Sequence, residues 1–275
     1  MISGRTRKAV VNVLFYLCVA CVVIIFLFPL CWMVLSSLKT QVQNISYPPV
    51  FIFKPTLENY RTVFIKNPYL RYTYNSAVVA GGATLFSLLL GLPASFSIAR
   101  FKQQWIAMFI LIGRIMPGVA ALIPWYILFA RLGLIDTYLG LILTHMVQVF
   151  PLVVWIMISF FEDIPIELEE AARVDGCSIL GAFFRIILPL SSPGMAAAAI
   201  LAFIFSWNNF MFSLVIASHR TWTLPVAAYN FIGYGEVNWG GLTAAATVIT
   251  LPVLILTLLI QRFIVRGLTF GALKG

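Results

Sequence analysis

A charged segment at residues 162–189 carries the side chains with the clearest chemical role in this sequence. Within it Glu170 is followed by Ala171 and Ala172, and Gly176 comes after three further residues. A carboxylate beside two small side chains suits the binding of an arginine from another protein, because a groove can approach closely and carboxylate–guanidinium pairs are strong. The pattern therefore favours a protein-docking surface. A helical hairpin at a membrane surface, without a partner, explains the same residues equally well.

Turn and helix signals predict how this segment folds. Pro165 suits the first position of a helix, and the three glutamates that follow it suit the positively polarised N-terminal end. Asp175-Gly176 is a stop and turn signal, after which a second helix runs to Pro189. We therefore expect a short helix, a sharp turn at Gly176 and a second helix that leads into the next membrane span.

The rest of the chain has the composition of a membrane protein. Its 275 residues are 61% hydrophobic and 10% charged, with a mean hydropathy of +0.99, whereas soluble domains are about half apolar and about one quarter charged. Since a membrane-spanning helix needs about 20 apolar residues, uncharged stretches predict an all-α polytopic fold with six transmembrane helices in a single domain of residues 1–275. The predicted spans are approximately residues 10–37, 72–99, 105–130, 138–161, 191–217 and 241–261.

Basic residues predict the orientation of these spans. The net charge of +9 comes from Lys and Arg residues scattered between apolar runs, which argues against nucleic-acid binding. With a cytoplasmic N-terminus, ten basic residues fall on the inner side and seven on the outer side, and five of those seven lie in the loop 39–71. Because basic residues favour the cytoplasmic side, we expect both termini in the cytoplasm and residues 162–190 as a cytoplasmic loop between spans 4 and 5.

The charged segment resembles the EAA loop of binding-protein-dependent ABC importer permeases. The matching positions are Glu170-Ala171-Ala172, Gly176, Ile186 and Leu188-Pro189. Residues 207–210, 223–226 and 267–275 also resemble the carbohydrate branch of this family. One departure is Asn209, where many relatives carry an acidic residue.

The resemblance implies that the loop at residues 162–190 couples the chain to an ATPase. Its short helix would dock in a cleft of a cytoplasmic ABC ATPase dimer, and the turn at Gly176 would leave no room for a side chain. The residues implied in coupling are Glu170, Ala171, Ala172, Asp175, Gly176, Ile186, Leu188 and Pro189.

The same resemblance implies the other parts of a transport complex. The chain would be a permease subunit in the cytoplasmic (inner) membrane of a bacterium or archaeon, paired with a second homologous permease and served by an extracytoplasmic solute-binding protein. The solute would be a sugar or sugar-like molecule, such as a di- or oligosaccharide or a polyol. The partner ATPase would use ATP and Mg, and this chain itself would bind no cofactor. From the residues themselves we expect contact with membrane lipid and no bound metal or nucleic acid.

Arg114 is the costliest polar residue inside a predicted span and hence a candidate for a solute pathway. If the third helix begins near Trp105, Arg114 lies about 14 Å deep, close to the membrane midplane. There it would face a water-filled cavity or carbonyl groups freed by Pro117. With a later helix start, its guanidinium would extend to the cytoplasmic surface instead.

Two more polar groups are candidates for the pathway. Thr144, His145 and Gln148 share one face of the fourth span and could bind a sugar hydroxyl or hydrogen-bond a neighbouring helix. Asn208 and Asn209 are adjacent in the fifth span and point about 100° apart on a helix. At most one of these two asparagines therefore faces the pathway.

Missing motifs disfavour the competing functions. The sequence contains no GxxxxGK[ST], the phosphate-binding loop that ATP hydrolysis would need. An ion-coupled secondary transporter of small solutes, the alternative, commonly has carboxylates near the midplane, but all nine acidic residues fall in predicted loops. A membrane enzyme is disfavoured because no HExxH and no carboxylate pair occurs in a span. We therefore expect no catalytic residues.

Overall fold

The protein is helical in the part of the chain that the structure describes. The structure is a computed structural model and describes residues 4–115, 118–233 and 235–272. Within these ranges the only strand-like feature is an isolated bridge between Ile232 and Val237. Short π-helices occupy Thr62–Lys66 and Phe183–Ile187. The α-helices are α1 (Gly4–Ser37), α2 (Gln41–Ile45), α3 (Glu58–Arg61), α4 (Tyr69–Arg100), α5 (Gln104–Ile115), α6 (Gly118–Arg131), α7 (Tyr138–Glu162), α8 (Ile166–Val174), α9 (Ile179–Ala182), α10 (Leu188–Leu190), α11 (Ser192–Trp207), α12 (Met211–Ile216), α13 (Leu224–Tyr229) and α14 (Trp239–Ala272).

Between four and six membrane spans can be formed from these helices. Two pairs of helices, α5 with α6 and the segment Ile179–Leu190 with α11, are each bent by more than 40°. The total is six spans if each bent pair crosses the membrane as a single span. The predicted count of six and the predicted orientation stay predictions. The four single helices long and apolar enough to cross a membrane are Val11–Ser37, Tyr69–Arg100, Tyr138–Glu162 and Trp239–Gln261.

The predicted fifth span, residues 191–217, is not one continuous helix. Instead α11 ends at Trp207, and α12 follows after a short break. The side-chain amide of Asn208 donates to a carbonyl one turn earlier at 2.9 Å, and the side chain of Asn209 accepts a hydrogen bond of 3.2 Å from the Phe212 N–H. Because asparagine side chains compete with the backbone for hydrogen bonds, these two residues separate the helices.

One compact unit of the chain comprises Met1–Pro68 and Ala228–Val248. The loop after α1 contains the short helices α2 and α3. The side-chain amide of Asn59 donates to the carbonyls of Ser37 and Lys39 at 2.8 and 2.7 Å. These bonds tie α3 to the C-terminal end of α1.

A second compact unit comprises Tyr69–Ala227 and Ile249–Gly275. In it α4, α7 and α11 pack around one hydrophobic core. A Cβ added at Gly194 of α11 would overlap the ring of Phe160 on α7, so these two helices approach at a distance that glycine permits. The largest side chains of the core are Phe96, Met157, Phe161, Phe183 and Ile187. Whether the two units form the single domain expected for residues 1–275 stays a prediction.

Candidate functional site

The charged segment folds as a short helix, a turn and a second, irregular helical stretch. Pro165 is the N-cap residue just before α8, with an extended ψ of 134°, and not the first helical residue as predicted. Its missing N–H group is tolerated at both positions. The N–H of Asp175 donates to the carbonyl of Ala171 at 3.0 Å and closes the helix. After the turn, α9, a π-helix and α10 lead to α11. The second stretch ends at Leu190, one residue beyond the predicted end.

Gly176 is required by backbone conformation rather than by lack of space within the chain. Its φ is +89°, a region that residues with a side chain rarely adopt. A Cβ added at Gly176 would have no neighbour within 4 Å in the described chain. The positive φ is therefore a physical reason for glycine within this chain, and the expectation that the docked turn leaves no room for a side chain stays a prediction.

The two alanines of the predicted docking surface point in different directions. Ala171 is exposed, but Ala172 is only 3% exposed and packs against its own chain. Glu169 is buried and Glu170 exposed. Successive helical residues point about 100° apart, so one face of α8 holds the helix in place and the other is free. Of these four residues, only Glu170 and Ala171 are exposed and accessible to a partner.

The free face of α8 borders a shallow depression that is widely open to solvent, which we call the α8 groove. Glu170 and Arg173 give it opposite charges, and Val174 and Leu180 are 87% and 67% exposed. Exposed apolar residues rimmed by charges are typical of a protein-docking surface. The groove is lined by Glu170, Arg173, Val174, Cys177, Ser178, Ile179 and Leu180.

The other predicted coupling residues lie outside this lining. Asp175 and Pro189 are exposed. Ile186 and Leu188 are half-buried and pack against the hydrophobic core. These two residues therefore anchor the end of the loop to the helices rather than forming the groove.

A buried ion pair, missed from the sequence, connects α8 to the end of α4. The Nε atom of Arg100 lies 3.0 Å from a carboxylate oxygen of Glu169, and both side chains are about 10% exposed, at 11% and 10%. Arg100 also donates from Nη2 to the carbonyl of Ile164 at 3.2 Å. The sequence predictions used these charges only for orientation and for the helix N-terminus. No local spacing signal connects two residues so far apart in the chain.

A cavity of about 480 Å³ lies among α5, α6, α7, α11 and α12, and we call it the α5–α7 cavity. Apart from four polar residues, the lining is mostly apolar or aromatic, including Trp125 and Phe205, and it contains no carboxylate among the residues that the structure describes. A few polar groups in an apolar setting are characteristic of small-molecule sites. Four of the predicted pathway residues line it: Arg114, Thr144, Gln148 and Asn209.

Arg114 places a positive charge in this cavity. Since α5 begins at Gln104, Arg114 lies about 15 Å along the helix at 1.5 Å per residue. Its guanidinium carbon is 5.4 Å from the centre of the Phe205 ring. All nine acidic residues lie in the described part of the chain, and none of them forms an ion pair with Arg114. Pro117, the predicted source of freed carbonyls, lies outside the described residues.

Thr144 and His145 have partners within the protein. The Thr144 hydroxyl donates to its own helix at Gly140 at 2.7 Å and accepts a 2.9 Å hydrogen bond from Trp125. The ring nitrogens of His145 lie 2.7 and 2.9 Å from the hydroxyls of Ser206 and Ser213. His145 is 1% exposed and does not line the cavity. The predicted common face of Thr144, His145 and Gln148 therefore divides, because adjacent residues contact different helices.

Asn208 also lies outside the lining, while Asn209 contributes to it. Within the described residues, no group of three or more His, Cys, Asp or Glu side chains could hold a metal ion. The four cysteines are free thiols, with Cys18, Cys21 and Cys31 exposed on α1.

Comparison with known proteins identifies the relatives of this chain. Residues 83–270 match the family described as "Binding-protein-dependent transport system inner membrane component". The chain is 37% identical to the trehalose/maltose transport system permease protein MalG of Thermococcus litoralis, over 92% of this chain and 93% of that protein. It is 35% identical to the sulfoquinovosyl glycerol transport system permease protein SmoH of Agrobacterium fabrum, over 90% of this chain and 89% of that protein.

A solved structure shares the fold. It is a bacterial ABC transporter involved in the import of the acidic polysaccharide alginate, with a TM-score of 0.77 and 18% identity over 95% of this chain and 98% of that chain. At this identity the likeness concerns the fold. The several apolar helices and the family match make the chain a multi-pass protein of the cytoplasmic membrane. Because the match covers more than half of its length, the chain belongs to the family of binding-protein-dependent transport system inner membrane components.

Proposed function

We propose that this chain is the permease subunit of an ATP-driven ABC importer for a sugar or sugar-like solute, such as a di- or oligosaccharide or a polyol. Family membership supports the transport role. The relatives whose names refer to trehalose/maltose and to sulfoquinovosyl glycerol support a sugar. Six spans would form one domain, with both termini and the 162–190 loop in the cytoplasm.

The α8 groove carries this proposal, because exposed apolar and charged side chains lie together there on a chain whose sequence contains no phosphate-binding loop. A cytoplasmic ABC ATPase dimer would bind there and would supply ATP and Mg. Glu170 would pair with an arginine of the ATPase, and the exposed Val174 and Leu180 would contact its apolar surface. Closure of the ATPase would then move α8 and, through it, the spans.

The α5–α7 cavity would form part of the solute pathway. Arg114, Gln148 and Asn209 offer polar groups to solute hydroxyls, whereas the Thr144 hydroxyl is already hydrogen-bonded. The faces of Trp125 and Phe205 suit the apolar faces of sugar rings. A second homologous permease would complete the pathway, and an extracytoplasmic binding protein would deliver the solute.

The decisive experiment is to purify the complex with its binding protein and to identify the bound small molecule by mass spectrometry. In proteoliposomes we expect uptake of that molecule to require both ATP and the binding protein. Uptake driven by a proton or sodium gradient without ATP would establish the secondary-transporter alternative instead. Saturable ATP binding by this chain purified alone would also contradict the proposal.

A further inference from the structure

Two neighbouring glutamates on α8 face opposite directions. Glu170 lines the α8 groove and is exposed. Glu169 is turned toward the chain itself, where its carboxylate lies 3.0 Å from Nε of Arg100. The two adjacent carboxylates are thus available for two different contacts, one outside the chain and one inside it.

Arg100 connects three parts of the second compact unit. It is the last residue of α4, and its guanidinium lies 5.9 Å from the ring of Phe96, which belongs to the hydrophobic core. From there it contacts Glu169 of α8 and the carbonyl of Ile164, just after α7. One side chain therefore joins the ends of two long helices to the loop helix.

The surroundings of the Arg100–Glu169 ion pair make it difficult for other contacts to replace this pair. Both side chains are nearly buried, and a buried charge that loses its partner remains uncompensated. Nε of Arg100 and the Oε2 atom of Glu169 have no hydrogen-bond partner in the described structure, so they depend on their mutual charge attraction. A displacement of α8 would separate these charges unless α4 moved with it.

We propose that the Arg100–Glu169 pair transmits movement of the docked α8 helix to α4 and hence to the helices around the α5–α7 cavity. This inference rests on the proposed docking of an ATPase at the α8 groove. Arg100 is then a positioning residue: it contacts neither the ATPase nor the solute, and it links the surface that receives force to the core that must respond.

Two thiol reporters in the full complex separate docking from transmission. Native Cys177 lines the α8 groove, so its labelling by a maleimide reports docking of the ATPase. A Val147→Cys substitution places a thiol in the lining of the α5–α7 cavity, and its reaction with a methanethiosulfonate reagent, with and without MgATP and vanadate, reports movement of the helices. Each reporter is measured with the other cysteines replaced by serine.

The variants are Arg100→Glu, Glu169→Arg and the double variant that exchanges the two charges. Lys102→Glu is the matched control, because it makes the same charge change at an exposed residue two positions away that forms no ion pair in the described structure. Arg100→Lys keeps the charge and remains testable if a charge reversal fails to reach the membrane.

We expect each charge reversal to leave Cys177 protected by the ATPase while reducing the nucleotide-driven change at Val147→Cys by about fivefold or more, the scale of a typical coupling between sites. The double variant should recover most of that change, Arg100→Lys should retain part of it, and Lys102→Glu should match the wild type.

An unchanged response in both reversals, or a double variant no better than either one, would overturn the inference. Loss of Cys177 protection in Arg100→Glu would also overturn it, by showing that Arg100 only shapes the docking surface. A wild-type complex in which the ATPase does not protect Cys177 would instead refute the proposed function.

Discussion

The α8 groove and the α5–α7 cavity are assembled from the chain in different ways. All residues that line the groove lie within residues 170–180, whereas the cavity takes its lining from five helices between residues 113 and 212. In the groove, charges of both signs are exposed. In the cavity the guanidinium of Arg114 lies among apolar and aromatic side chains. A site made from consecutive residues can be recognised by spacing, while an assembled one depends on helix packing.

This difference predicts different consequences of mutation. In the groove, a change should alter binding of the ATPase and leave handling of the solute intact. In the cavity, a change should alter uptake of the solute and leave ATPase binding intact. The variants below test that separation.

The largest effect is expected for Glu170→Arg. Like charges placed together across an interface cost several kcal/mol, so ATPase affinity should fall by at least about a hundredfold. Co-purification of the ATPase with increasing amounts of permease measures this. Glu167→Arg is the control, since Glu167 is exposed on the same helix but outside the groove. Equal losses in both variants would show that the charge of α8 as a whole matters, and not the groove.

Gly176→Val should reduce uptake by about tenfold, because a strained positive φ costs about 1–3 kcal/mol in a residue with a side chain. Gly176→Asn should retain much more activity, since asparagine tolerates positive φ. The control is Gly81→Ala in α4, where an added Cβ also meets no neighbour within 4 Å. If the asparagine variant is as inactive as the valine variant at equal membrane abundance, crowding by the docked ATPase is the better explanation.

Arg114→Gln should lower uptake by about tenfold without lowering ATPase affinity, because hydrogen bonds to charged groups contribute about 1.5–3 kcal/mol. If Arg114 lies near the membrane midplane, the variant's amount in the membrane should not fall, since removal of the charge then saves about 2.5–3.5 kcal/mol of insertion cost. Uptake and membrane abundance are measured in the same vesicles. Normal uptake by this variant would exclude Arg114 from the pathway.

The smallest effect is expected for Gln148→Ala, with a rise in KM for the solute of about threefold from one lost neutral hydrogen bond. His145→Ala is its counterpart on the same helix. It leaves the buried hydroxyls of Ser206 and Ser213 without their imidazole partner, so it should lower the Tm of the purified complex and leave KM unchanged. A raised KM for His145→Ala together with an unchanged KM for Gln148→Ala would place His145, rather than Gln148, in the pathway.

Local signals predicted the charged segment well. The helix after Pro165 and the turn at Gly176 follow from proline, glycine and acidic residues at short spacing. The division of the fifth span at Asn208 and Asn209 was not predicted, because apolar content alone cannot show where side-chain amides interrupt a helix. The burial of Ala172 was likewise missed, since small residues suit both an interface and an interior.

The amino-acid sequence by itself determined the membrane setting and the position of the charged loop, because apolar stretches and turn residues act through their immediate neighbours and solvent. The tertiary structure decided which partner each polar side chain meets. It brought Arg100 to Glu169, placed His145 between two serines, and set Arg114 beside the ring of Phe205. These contacts depend on how helices pack across the chain, and residues distant in sequence give no local sign of such proximity.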